Sequence, residues 1–177
     1  MKIQRMIKKT SFHIQKGLIG ILVYFDSRLY MKFYNNLLRR HGFKLNGIPR
    51  FIAKSARFDD FNRITLGDRL VVSMNVHFLT HDYSYTTALI SINEKPTTDI
   101  GVLREIVIGD NVFIGMNSIL LPGTIIGNNV IIGAGSIVRG KVPDYSVVAG
   151  NPATIISDIR DFAIKVKQRN DSDLVID

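Results

Sequence analysis

Residues 108–143 divide into sixes: IGDNVF, IGMNSI, LLPGTI, IGNNVI, IGAGSI and VRGKVP. Every block opens on Ile, Leu or Val, and its fifth residue is Val, Ser or Thr. Four of the six carry Gly second, and Asp or Asn gathers at the third and fourth places. A fixed short period of this kind is the signature of a β-solenoid, in which like residues stack coil upon coil. Three such faces make a coil of eighteen, so Ile108 is expected over Ile126, Ile114 over Ile132 and Ser118 over Ser136. The first position then fills the core and the small fifth fits near a corner. Gly, Asn and Asp at the corners tolerate the positive φ that a sharp bend demands.

Outward from that stretch the rhythm weakens. It is clear as LGDRLV, VSMNVH and FLTHDY from Leu66 to Tyr83, and faint between Asn46 and Arg63. Between Ser84 and Gly101 it vanishes into SYTTALISINEKPTTDIG, a polar, Thr-rich external loop, and it resumes at Val102. A structureless insertion of this length within a compact domain points to function. After Tyr145, Gly150-Asn151-Pro152 stops the pattern. Ile155, Ile159, Phe162 and Val166 then share one helical face, which predicts a short capping helix within residues 153–177. The β region is thus 46–152.

The N-terminal 45 residues are of a different character. Residues 1–50 hold 11 Lys or Arg against one acid, Asp26, while the rest of the chain holds 12 basic and 14 acidic residues; together these give the net charge of +8. Leu18, Leu22, Phe25, Leu29, Phe33 and Tyr30, Tyr34, Leu37 follow helical spacing, with Gly42 as a helix end and Ser11 as an early cap. One or two helices are expected between about residues 3 and 41. Their apolar faces suit packing on the coil, and their charge suits an anionic membrane surface. The apolar run from Gly17 to Phe25 falls short of the ~20 residues a spanning helix needs, and no cleavage site for a signal peptide is evident. No helix-turn-helix, finger or basic-aromatic sheet pattern accompanies the high pI, so nucleic acid is not an expected partner. The chain has no Cys, which excludes disulfides, thiolate metal sites and a Cys nucleophile.

The run IVIGDNVFIGMNSILLPGTIIGNNVIIGAGSIV, followed by VPDYSVVAGNPA, resembles the hexapeptide-repeat acyltransferases over roughly residues 48–157. The nearest look is to the maltose and galactoside O-acetyltransferase branch and its surface-polysaccharide relatives. The resemblance implies a left-handed parallel β-helix with N-terminal helices, a homotrimer with active sites between subunits, and acetyl-CoA as acyl donor. It implies a sugar hydroxyl as acceptor and no metal. The cytoplasm is the expected location, with peripheral contact at the inner membrane face through residues 1–41. A non-catalytic scaffold and an N-acyltransferase of a nucleotide-linked amino sugar are the alternatives. Zinc carbonic anhydrases share the solenoid but use three His, and only His77 and His81 fall in the β region.

Acyl transfer to an alcohol requires a base for the hydroxyl proton and donors for the oxyanion. His13 and His41 lie in the helical segment and read as surface or packing residues, and His77 reads as a wall residue. His81 stands where the repeat breaks, in Thr80-His81-Asp82-Tyr83, and the resemblance makes it the general base. Asp82 is the first candidate to orient it and Glu105 the second, with turn capping the competing role for Asp82. Asn75, one block earlier, is a candidate for the acceptor hydroxyl, against a plain corner role, and Tyr83 is a candidate to cover the acceptor. By resemblance, Phe113, Met116, Gly133 and Ala134 lie along the pantetheine arm and Arg139 meets the nucleotide phosphates. Gly140, Thr154 and Ser157 stand where relatives often carry Lys or Arg.

Overall fold

The computed structural model describes residues 2–168. Two helices, α1 (Lys2–Ile19) and α2 (Ser27–His41), are joined by a 3-10 turn at Leu22–Tyr24. The chain then visits three parallel sheets in rotation. Sheet one holds β1 (Lys44–Leu45), β4 (Ile64–Leu66), β9 (Ile106–Ile108), β12 (Ile125–Ile126) and β15 (Lys141–Val142). Sheet two holds β2 (Phe51–Ile52), β5 (Val71–Val72), β10 (Val112–Ile114), β13 (Val130–Ile132) and β16 (Ser146–Gly150), with β17 (Ala153–Asp158) antiparallel at its edge. Sheet three holds β3 (Arg57–Phe58), β6 (His77–Phe78), β11 (Ile119–Leu120) and β14 (Ile137–Val138). A separate antiparallel pair, β7 (His81–Asp82) with β8 (Val102–Leu103), forms the stalk of the external loop. Inside that loop lies α3 (Ser84–Ser91), which the sequence pattern did not announce. The last helix is α4 (Ile159–Gln168).

The stacking follows the sixes. Ile126 pairs with Ile108, Ile132 with Ile114, and the neighbours of Ser118 and Ser136 pair as Ile119 with Ile137. Sheet by sheet the inward positions form ladders: Ile52, Val72, Ile114, Ile132 and Val148 in sheet two are all 2% exposed or less. Ile114→Ala should therefore cost about 2–5 kcal/mol, the range for a large buried aliphatic cut to a methyl, read as a shift in a denaturant or thermal transition. The small fifth position has a second duty. Ser118 and Ser136 both donate to the Gly133 carbonyl, and Thr124 donates to Leu121 and Val138 carbonyls, so the buried corners keep their hydrogen bonds.

Corner duties are divided more finely than the expectation that Gly, Asn and Asp alike supply positive φ. The fourth position takes it, at Asn111, Asn117, Gly123, Asn129 and Gly135. The second-position Gly is needed for closeness instead. A Cβ on Gly109 would lie 2.7 Å from the Gly127 carbonyl oxygen, and one on Gly115 would lie 2.5 Å from the Ala134 nitrogen. Asn111 and Asn129 then ladder side chain to side chain at 2.8 Å.

Three expectations for the ends are corrected. Ser11 lies within α1, accepting from Gln15, and Asp26 is the cap, its carboxylate accepting the N–H of Arg28 and Leu29 at the start of α2. Gly42 does end α2, at φ 98°. At the far end, Ile155 is on β17 rather than on a helical face, and no residue of α4 is buried. The coil is closed by β17 folding back on β16, which covers a strand edge with backbone hydrogen bonds. The N-terminal helices pack on the coil through Phe12, Tyr30, Tyr34 and Leu38, all fully buried in one core with Ile52 and Phe58. Tyr30 donates to the Ile52 carbonyl at 2.8 Å. Of the other predicted stripe, Leu22 alone packs against this core. Leu18, Phe25, Leu29 and Phe33 remain exposed.

Candidate active site

Thr80 is the last residue of the regular wall, fully buried, and its hydroxyl donates to Asp60 at 3.0 Å. The next residue turns out of the coil. His81 opens β7 and is held there by pairing with Leu103, so the stalk fixes the backbone from which the imidazole projects. Its Nδ1 lies 3.3 Å from Oδ2 of Asp59. The same Asp59 oxygen accepts the Thr80 N–H at 3.1 Å, so the carboxylate is itself pinned. With Nδ1–H directed at Asp59, a neutral His81 carries its lone pair on Nε2. Tyr83 lies edge-on to the imidazole, ring centroids 5.5 Å apart, and its ring leaves no room for a side chain at Gly101.

Asp82 does not fill the orienting place. Its Oδ1 accepts the Ser84 N–H at 2.8 Å where α3 begins, and that backbone hydrogen bond holds its carboxyl below the usual carboxylate range. This is the turn-capping role, and its physical reason is that the carboxylate is taken by the Ser84 N–H two residues on, while His81 Nδ1 lies against Asp59. Glu105 is likewise engaged elsewhere, accepting from Lys44 Nζ at 2.8 Å, which lowers its pKa.

His81 borders a cleft of about 400 Å³ at the corner that follows sheet three, walled by Leu79, Leu121, Pro122, Arg104 and Arg139, with Asp82 and Tyr85 of the loop at its rim. Arg104 follows directly on β8, its N–H donating to the Thr80 carbonyl. Neither Arg104 nor Asp59 was legible as a site residue in the sequence.

A family model described as bacterial transferase hexapeptide (six repeats) matches residues 105–140. Protein CapG of Staphylococcus aureus is 38% identical over 136 residues, which cover 76% of this chain and 76% of CapG. WbbJ of Escherichia coli K12, provisionally named a lipopolysaccharide biosynthesis O-acetyl transferase, is 31% identical over 138 residues, 71% of this chain and 70% of that protein. This chain belongs to the bacterial hexapeptide-repeat transferases. Its fold is similar to a solved hexapeptide-repeat acetyltransferase of Vibrio cholerae O1 biovar eltor, crystallised with acetyl coenzyme A. The TM-score is 0.57 at 23% identity, covering 84% of this chain and 87% of that one.

The remaining candidates of this transferase lie elsewhere on the prism. Phe113 projects from β10, and Met116, Gly133 and Ala134 follow at the corner after sheet two, not at the corner of His81. Of the five expected cofactor residues only Arg139 lines the His81 cleft. The surface around Ala134 is open: Phe113 and Met116 are 44% and 38% exposed, and a Cβ on Gly133 would meet Ala149 at 2.9 Å. Asn75 is a corner residue at φ 56°, its amide donating to Asn117 at 3.3 Å. The structure does not bring it to the His81 cleft.

Proposed function

We propose that this transferase moves an acetyl group from acetyl-CoA to a sugar hydroxyl in the building of a surface polysaccharide such as a capsule, O-antigen or exopolysaccharide. The observation that carries the reading is the His81–Asp59 contact at the break in the coil where the external loop leaves. Nε2 takes the proton of the acceptor hydroxyl, and Asp59 steadies the resulting imidazolium. Acetyl-CoA supplies the acetyl thioester, and direct transfer requires no covalent enzyme intermediate. The exposed, part-apolar surface of Phe113, Met116, Gly133 and Ala134 suits a pantetheine arm lying against the wall. Arg104 and Arg139 give the His81 cleft a positive lining for an anionic portion of donor or acceptor. WbbJ's provisional assignment to lipopolysaccharide biosynthesis supports the polysaccharide setting. In this reading the coil winds left-handed, as the resemblance implies. The chain falls into the helical segment 1–45, the β-helix 46–152 with its loop 84–101, and the end segment 153–177. It works in the cytoplasm, its basic segment at the inner membrane face. Labelled acetyl-CoA offered with a panel of sugar acceptors tests the reading; label found only as free acetate, with every acceptor, would reject it.

The separation of His81 from the Met116 and Ala134 corner has a consequence. A complete site needs two subunits, the corner of one facing the corner of the next in a homotrimer. Co-expressed His81→Ala and Ala134→Arg chains, each inactive alone, should recover about a quarter of wild-type activity in mixed cyclic trimers. A mixture as inactive as its parents rules out the shared site.

A further inference from the structure

Asp59 also borders a second cavity, of about 750 Å³, between α1, the 3-10 turn and the coil. Its walls carry four nitrogen bases, His13, Lys16, Lys54 and Arg57, against the single carboxylate of Asp59, which is already held by His81 and Thr80. Lys16 is the informative one. Its side chain is 8% exposed, its Nζ donates to the Ala56 carbonyl at 2.5 Å, and three rings, Phe12, Tyr34 and Phe58, stand within 5.9 Å of it. Among the described residues no carboxylate lies within ion-pair distance of it. Burial, helped by nearby Arg57, lowers its pKa to about 8, and burial with Lys16 and Lys9 lowers that of His13. A buried cation with no anion is costly, and the cavity beside it is where an anion can enter.

The exposed rim of the cavity mixes apolar side chains with cations: Lys54 and Arg57 are exposed, and Lys54 Nζ lies 4.3 Å over the Tyr24 ring. Ile21 and Tyr24 line the cavity, Leu18 and Phe25 flank them in sequence, and all four are more than half exposed, Phe25 at 82%. A buried cation, Lys16, with further cations and exposed apolar side chains beside it suits an amphiphilic anion. No helix among the described residues is long and apolar enough to cross a membrane, so contact would be at the surface. We infer that the Lys16 cavity binds the phosphate of an anionic lipid, whose chain lies over Ile21, Tyr24 and Phe25. The site shares Asp59 with the His81 pair, and its lipid binding is read without turnover.

The test is co-sedimentation with vesicles of phosphatidylglycerol in phosphatidylcholine, against phosphatidylcholine alone. Two variants of equal charge change are compared: Lys16→Met with Arg57→Gln in the cavity, and Arg28→Gln with Lys32→Met on exposed α2. The cavity pair is expected to weaken binding to the anionic vesicles at least about tenfold more than the surface pair, because it removes a desolvated partner rather than diffuse charge. Phe25→Ser should weaken vesicle binding while leaving the affinity for inorganic phosphate, read by calorimetry, unchanged. Equal losses from the two pairs overturn the site, as does wild-type protein that ignores the anionic vesicles. Phosphate binding that depends on Lys16 without vesicle binding overturns the lipid assignment. Lys16→Met removes an unpaired buried charge and should fold; if it does not, Arg57→Gln alone against Arg28→Gln decides.

Discussion

Substituting His81 by alanine is expected to lower the rate of acetyl transfer by about 100- to 10,000-fold, the contribution of a positioned general base. The fold should be untouched. The side chain is 39% exposed, it sits on a two-residue strand outside the three sheets, and its backbone pairing with Leu103 does not depend on the imidazole. Substitutions at such positions usually change stability by no more than about 0.5 kcal/mol. Affinity for CoA should also persist, since four of the five residues expected to contact it lie on β10 or at the corner after sheet two. Turnover at the wild-type rate would remove His81 from the mechanism. A variant that loses both turnover and its melting transition would instead mark the residue as structural. The measurement is a steady-state rate with labelled acetyl-CoA beside a thermal melt and a CoA titration.

How much of this was legible in the sequence depends on where the period holds. Ile108 over Ile126 and Ile114 over Ile132 could be read from the sixes, because each coil has only one register that buries its aliphatic residues. The break at His81 was legible for the same reason, as the place where the core pattern stops. Asp59 was not. The eighteen-residue rule sets it beside His77, but the first coil is longer: Arg57 pairs with His77 and Phe58 with Phe78. The additional residues are taken up by the 3-10 turn at Phe61–Arg63, which carries Asp59 up to the level of Thr80 and His81. The turn's sequence, Asp59-Asp60-Phe61-Asn62-Arg63, lacks the repeat that would have fixed the offset. Helix α3 was hidden differently. Its residues Ser84–Ser91 bury nothing, so no apolar stripe marks them.

Asp59→Asn then separates orientation from simple contact. In a hydrolase triad the corresponding carboxylate-to-amide change costs about 10⁴ in kcat. The His81–Asp59 pair is longer, at 3.3 Å, and both side chains are partly exposed, so solvent shares the imidazolium charge. A loss of about 10- to 100-fold is therefore expected. The asparagine oxygen can still accept the Thr80 N–H, which preserves the local backbone, but the group has lost the charge that steadies His81. If the amide turns the other way, its NH₂ faces Nδ1, and the proton moves to Nε2, where the base is needed. Either outcome acts only through the imidazole. In a His81→Ala background, Asp59→Asn should lower the residual rate no further, the non-additivity expected of a unit. An equal loss in both backgrounds would make Asp59 a structural residue alone. Asp82→Asn is the matching control, because an Asn oxygen can accept the Ser84 N–H two residues on as the Asp oxygen does. It should stay within about twofold of wild type, since its carboxylate serves the Ser84 N–H rather than His81. A loss at Asp82 as large as that at Asp59 would return the orienting role to the residue next to the base.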